Sequence, residues 1–260
     1  MGIEYGLFDR MRLSFPIFYP REDTSRTPPG AVDHLLEVEP GVSLSARHYT
    51  SPSSSGTVLY FHGNGEVVGD HDDIAPLYRD IGLDLFVVDY RGYGRSGGRP
   101  SFAALVADAH PVAARFHALL DERGAAGPRF VMGRSLGAHP ALEIAARRPE
   151  GFRGLILESA AASLRRLFAR FVEPAPASVT DELIAAHEAK IASITLPTLL
   201  LHGERDELIP LAYATDVRDL MKAADRTLVV IPGAGHNDIL FRGMELYFES
   251  IRTFVDRRSG

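Results

Sequence analysis

Eight consecutive residues, Phe130-Val131-Met132-Gly133-Arg134-Ser135-Leu136-Gly137, constrain what this chain can fold into more than any other stretch. Three apolar, strand-favouring residues run into Gly-x-Ser-x-Gly, and a helical pattern follows over Ala141 to Arg148. Short Gly/Ser patterns also arise by chance in a chain with 24 glycines. A strand before and a helix after turn this one into a candidate nucleophile elbow, in which the serine sits on a sharp, strained turn. Glycines are expected two residues to either side because the turn crowds them against neighbouring backbone. Ser135 would then stand at a helix N-terminus, where free N–H groups and the helix dipole favour a developing oxyanion.

The rest of the chain reads as a frame for that turn. Val32 to Glu39 and Val42 to Tyr49 alternate around Pro40-Gly41, predicting an antiparallel hairpin. Apolar runs follow at Thr57 to Phe61, Leu85 to Asp89, Phe130 to Met132, Leu155 to Leu157, Leu199 to Leu201 and Leu228 to Ile231. Such continuous runs suit strands buried on both faces. Helical spacing fills the gaps: Asp72 to Ile81, Phe102 to Arg123 with Pro111 as a kink or split, Leu211 to Ala223 and Asp238 to Asp256. Alternating strands and helices predict an α/β fold with a mostly parallel, doubly wound sheet.

At 260 residues, one domain over 31–260 with an N-terminal extension over 1–30 is the simplest organisation. Residues 159–196 break the alternation with two amphipathic stretches, Leu164 to Val172 and Asp181 to Ile194, around Pro174 and Pro176; they read as a small helical lid. In the extension, Phe8, Arg10, Arg12, Phe15, Phe18 and Tyr19 mix aromatics with basic residues. Packing on the body of the domain is expected, and a membrane surface is the alternative.

A serine hydroxyl needs a histidine to take its proton and an acid to orient that imidazole. Asp206 follows the Leu199–Leu201 strand, and His236 follows the Leu228–Ile231 strand inside Gly233-Ala234-Gly235-His236. All three groups fall just past the C-terminal ends of strands, the edge where such sheets carry their chemistry. Glu204 and Glu207 share the Asp206 loop, and Glu158 ends the preceding strand; Glu158 is the serious rival as the acid. The oxyanion needs two aimed N–H groups, one from the residue after the nucleophile and one from the loop after the third strand. Leu136 and Asn64, in His62-Gly63-Asn64-Gly65, are the candidates. His62 is read as stabilising that turn, His139 as a core or surface histidine, and Asp89 and Arg91 as structural. Pro140 is expected to make the start of the elbow helix irregular.

Five ordered blocks carry a resemblance: His62 to Gly65, Asp89-Tyr90-Arg91-Gly92-Tyr93-Gly94-Arg95-Ser96, Gly133 to Gly137, His202-Gly203-Glu204-Arg205-Asp206 and Gly233 to His236. Together they resemble α/β-hydrolase-fold serine hydrolases from about Val32 onward. The His-Gly-Asn turn and the tyrosine–glycine loop are similar to one branch, small esterases and depalmitoylase-like thioesterases. Members of that branch carry a Phe-Tyr-Pro segment behind a membrane anchor. Phe18-Tyr19-Pro20 matches the segment without an anchor ahead of it, which speaks against a membrane or depalmitoylation role.

The resemblance implies hydrolysis of a small-molecule carboxylic ester or thioester through an acyl-enzyme, with no metal or organic cofactor. An aminopeptidase or amidase on the same triad and a non-catalytic binding protein of the same fold are the alternatives. Net charge of -6 without a basic patch argues against a nucleic-acid partner. No apolar run approaches a membrane span, and the N-terminus lacks a signal-peptide layout. With no cysteine in the chain, a cytoplasmic location is expected.

Overall fold

The computed structural model describes residues 3, 5–10, 17–171 and 177–258. Arg12 and Phe15 of the N-terminal aromatic stretch, and Val172, Pro174 and Pro176 of the insertion, lie outside the described residues. In chain order the elements are α1 (Gly6–Arg10), β1 (Ala31–Glu39), β2 (Val42–Tyr49), β3 (Gly56–Phe61), α2 (Ala75–Asp80), β4 (Leu83–Val88), α3 (Phe102–Ala107), α4 (Ala109–Glu122), β5 (Arg129–Arg134), α5 (Ala138–Arg147), β6 (Phe152–Glu158), α6 (Leu164–Phe171), α7 (Ala177–Ala192), β7 (Thr198–Gly203), α8 (Ala212–Leu220), β8 (Arg226–Ile231) and α9 (Ile239–Asp256).

The strands form one sheet in the order β1-β2-β4-β3-β5-β6-β7-β8. β1–β2 and β2–β4 pair antiparallel; from β4 onward every pairing is parallel. The apolar runs of the inner strands feed two cores because successive side chains leave opposite faces of the sheet. Leu59, Val131, Leu155 and Leu200 pack under α4, α5 and α8. Val58, Met132, Ile156 and Leu201 pack under α2 and α9. This is a doubly wound sheet whose parallel strands are covered on both sides.

The Phe102–Arg123 segment is split rather than kinked, and the break falls at Asp108, not Pro111. Ser101 caps α3 by accepting the Ala104 N–H at 3.0 Å. Pro111 occupies the first turn of α4, where its missing N–H costs nothing. The Asp72–Ile81 helix is shorter than its spacing predicts: a 3₁₀ turn over Val68–His71 precedes α2. α7 starts at Ala177, four residues before the amphipathic pattern begins.

Tyr5, just ahead of α1, and Phe8 within it insert between α3 and the two helices of the insertion, against Phe102, Val106, Leu164, Phe168 and Leu183. Beneath this apolar cluster lies a buried polar row. His187 Nε2 faces the Ala162 carbonyl at 3.0 Å, so it carries the proton and Nδ1 accepts from the Tyr5 hydroxyl at 2.8 Å. Lys190 Nζ donates to Glu143 at 3.0 Å, and His110 Nε2 lies 3.1 Å from the other carboxylate oxygen. Burial alone would raise the Glu143 carboxyl; His110 and Lys190 hold it down to about 2. His139, 1% exposed, is pushed down to about 3 by burial and by the Lys190 charge.

A histidine held neutral in the folded state opposes folding in acid. The unfolded chain takes up the proton near the ordinary value of 6.5, whereas the fold does not until about 3. The His139 contribution is therefore complete above pH 6.5 and declines as pH falls toward 3. Glu143 adds to the decline below its ordinary value of 4.5. The melting temperature is expected to drop between pH 6.5 and pH 4.5, with a shallower slope in His139→Gln; an equal slope in the variant contradicts the assignment.

Candidate active site

The elbow is built as the spacing requires. Ser135 has φ 51, one of two non-glycine residues with positive φ among those described. β5 ends at Arg134, and a single 3₁₀ turn over Ser135–Gly137 leads into α5. Pro140 accordingly stands in the first turn of α5, behind an irregular helix start. The flanking glycines answer to contact with backbone. A Cβ on Gly137 would overlap the Phe61 carbonyl at the end of β3, and one on Gly133 would overlap the Gly137 carbonyl. Both neighbours are backbone, one at the end of β3 and one in the turn itself, so neither yields as the end of a flexible side chain would.

The loops after β7 and β8 bring the other two groups to this edge. His236 Nε2 lies 3.1 Å from Ser135 Oγ, and His236 Nδ1 lies 2.7 Å from Asp206 Oδ2. Asp206 Oδ1 accepts the Ile209 N–H at 2.7 Å, so both carboxylate oxygens are engaged. The histidine loop can pass this close because Gly203 lacks a side chain; a Cβ there would meet the Gly235 carbonyl at 2.7 Å. Arg205 N–H donates to the Ala234 carbonyl at 2.7 Å, tying the two loops together. The site is nearly closed: Ser135 is 7% and His236 8% exposed.

His202 was not singled out by its sequence. Its Nε2–H donates to the Ile209 carbonyl at 2.7 Å, and the same nitrogen stands 3.5 Å from Asp206 Oδ2. Burial pushes this imidazole down from its ordinary value, which keeps it a neutral donor. Glu158, the rival acid, is engaged by groups other than His236. It takes the Tyr247 hydroxyl at 2.7 Å and Arg134 Nε at 3.1 Å, and burial raises its carboxyl.

Leu136 follows the serine in the 3₁₀ turn, whereas Asn64 lies in the loop after β3 and is held there by the N-terminal extension. Asn64 Oδ1 accepts from the Tyr93 hydroxyl at 2.6 Å and from the Tyr19 N–H at 3.0 Å, while Nδ2 donates to the Ile17 carbonyl at 2.5 Å. Arg21 Nε donates to the Gly65 carbonyl at 2.6 Å. A strap over residues 17–21 therefore lies across the turn. Phe18 packs against the main core, whereas the Tyr19 ring is half exposed. His62 stabilises the turn, with Nδ1 2.8 Å from the Gly63 carbonyl and Nε2 3.2 Å from Asp89. Asp89 also takes the Ser45 hydroxyl and the Val68 N–H, and Arg91 makes a two-pronged pair with Asp108 at 2.7 Å. Both are structural. His139 is a core residue, edge-on to Phe102.

Residues 52–188 match the family model described as "Serine aminopeptidase, S33". An uncharacterized protein of Mycobacterium tuberculosis is 31% identical over 253 residues, covering 95% of this chain and 86% of that protein. The chain belongs to this family of α/β-hydrolases. Protein bem46 of Schizosaccharomyces pombe is 30% identical over 211 residues, 79% of this chain and 69% of bem46. Among solved structures, the Pyrococcus furiosus esterase Pf2001 superposes with a TM-score of 0.74 at 20% identity, covering 93% of this chain and 99% of that one. The architecture is the α/β-hydrolase fold. Among the described residues, no helix is long and apolar enough to cross a membrane.

The left-handed backbone at Ser135 stores strain that a side chain pays for and glycine does not, on the order of 1 kcal/mol. In urea unfolding, Ser135→Gly is expected to be more stable than Ser135→Ala by about that amount. Equal stabilities, or the reverse order, contradict a strained elbow.

Proposed function

We propose that this protein is a serine hydrolase that cleaves carboxylic ester or thioester bonds of a small molecule through an acyl-enzyme. The observation that carries the reading is the hydrogen-bonded row from Ser135 Oγ through His236 to Asp206, at 3.1 and 2.7 Å. Ser135 Oγ attacks the acyl carbon while His236 Nε2 takes the hydroxyl proton. Asp206 holds Nδ1–H and stabilises the imidazolium, as the general logic of such triads requires. The acyl oxygen becomes an oxyanion between the N–H groups of Asn64 and Leu136, each worth about 3 kcal/mol in the transition state. Collapse expels the alcohol or thiol with the proton from His236. Water, deprotonated by the same imidazole, then attacks the acyl-enzyme and releases the acid with free Ser135. The esterase among the solved structures of this fold is consistent with that chemistry.

The name of the matched family favours a second reading, an aminopeptidase or amidase on the same triad. A free α-amine needs an unengaged carboxylate near the nucleophile. Glu66 and Glu158, which adjoin Arg134 of the elbow, are both taken by its guanidinium. Ester chemistry needs no such anchor and is preferred. A binding protein of the same fold would not need the serine to react.

With p-nitrophenyl esters, Ser135→Ala or His236→Ala is expected to lower kcat by about 10⁴- to 10⁶-fold. Asp206→Asn is expected to lower it by about 10⁴-fold, through the wrong imidazole tautomer. Glu158→Gln should stay within an order of magnitude of wild type; an inactive Glu158→Gln beside an active Asp206→Asn reassigns the acid. A serine-directed phosphonate should add covalently at Ser135, and absence of the adduct by mass spectrometry favours the binding-protein reading. Faster turnover of aminoacyl p-nitroanilides than of esters favours the aminopeptidase.

A further inference from the structure

Arg134, the variable residue of Gly-x-Ser-x-Gly, has an arrangement that the chemistry above does not use. Its side chain is 12% exposed, and all three guanidinium nitrogens are occupied. Nε donates to Glu158 at 3.1 Å, NH1 to Glu66, and NH2 to both the His236 carbonyl at 3.1 Å and Asn237 Oδ1 at 2.9 Å. Glu66 passes the contact on: its second oxygen accepts the Gly63 N–H at 2.9 Å, one peptide before Asn64. Gly63 is glycine for the same reason, since a Cβ there would overlap the guanidinium and lie 2.8 Å from Glu66 Oε1. One planar cation thus touches the histidine loop, the end of β6 and the partner of the oxyanion turn, from the residue next to the nucleophile.

We propose that Arg134 is a positioning residue, which sets the His236 loop and the Gly63-Asn64 turn in register with Ser135. The proposal rests on the Ser135–His236 reading. Electrostatics favour a fixed fork over a loose ion pair. Burial alone would raise the Glu66 carboxyl, and Arg134 reverses this and holds it below its ordinary value, so Glu66 stays charged against the cation. The Glu158 carboxyl moves the other way, and the Tyr247 hydroxyl shares the work of satisfying it. A guanidinium suits this geometry because its donors diverge in one plane; an ammonium is a point charge that cannot span the same acceptors.

The test is Arg134→Lys, which keeps a positive charge for Glu66 and Glu158 but loses the fork to His236 and Asn237. Glu66→Gln serves as a second variant that keeps an acceptor for the Gly63 N–H and weakens the link to Arg134. In Arg134→Lys, kcat for a p-nitrophenyl ester should fall about 10- to 100-fold with KM changed little, the size of effect that small misplacements of reacting groups produce. The His236 Nδ1–H proton resonance, assigned by its loss in His236→Gln, should shift or broaden in the same variant. A folded Arg134→Lys with wild-type kcat and an unchanged resonance overturns the proposal, and so does a lowered melting temperature with kcat intact. If wild type itself forms no phosphonate adduct at Ser135, the hydrolase reading fails separately. The imidazole resonance then still decides whether Arg134 holds the loop.

Discussion

The whole arrangement depends on one close approach, the passage of the Ser135–Gly137 turn over the C-terminal end of β3. Phe61 contributes its carbonyl to the space that a side chain at 137 would fill, and Gly137 does the same to position 133. With both sites emptied of side chains, the chain can reverse from strand to helix within three residues. The cost is a serine at φ 51. The gain is a hydroxyl held above the sheet at a helix start, with little freedom to turn away. Strain of this kind persists only where the surroundings over-determine it. Here the main core takes in Leu136 and Ala138 at the turn, and the core on the opposite face of the sheet buries Phe130 and Met132 of the strand that leads into it.

Around that fixed point the other groups arrive by the same device. Gly203 clears the path of the histidine loop, and Gly63 clears space for the Arg134–Glu66 pair. Polar contacts then lock each loop: Arg205 to Ala234, Asp206 to Ile209, and the 17–21 strap to Asn64. The result is a site whose members come from distant parts of the chain, yet each rests on a strand end or on a loop tied to its neighbour. Preorganisation of this sort is what an electrostatic account of hydrolysis needs, because donors already aimed at the oxyanion cost no reorganisation in the transition state.

How much of this could be read in advance follows from where each constraint acts. The strands were legible because burial on both faces demands continuous apolar runs. The elbow was legible because crowding acts within five residues and leaves two glycines as its trace. Asp206 and His236 could be singled out as candidates because loops at strand ends concentrate glycines and polar side chains. The Arg134 fork left no such trace, since its partners lie 24, 68 and 102 residues away and one of them is a backbone carbonyl. His202 was hidden for a similar reason: its role depends on a carbonyl seven residues on that only the folded loop presents. The break at Asp108 escaped notice because proline is the louder signal, although the first turn of a helix accepts it. The docking of α1 against the insertion rests on Tyr5 and Phe8, two aromatics in a short segment without a periodic pattern of its own.

The most direct measurement is a crystal structure of the protein after reaction with a phosphonate that mimics the tetrahedral intermediate. Phosphorus bonded to Ser135 Oγ, with one oxygen within about 2.7–3.1 Å of both the Asn64 and Leu136 nitrogens, is the expected result. An adduct whose oxygens point away from both nitrogens, or one carried by another residue, would contradict the site described for this fold.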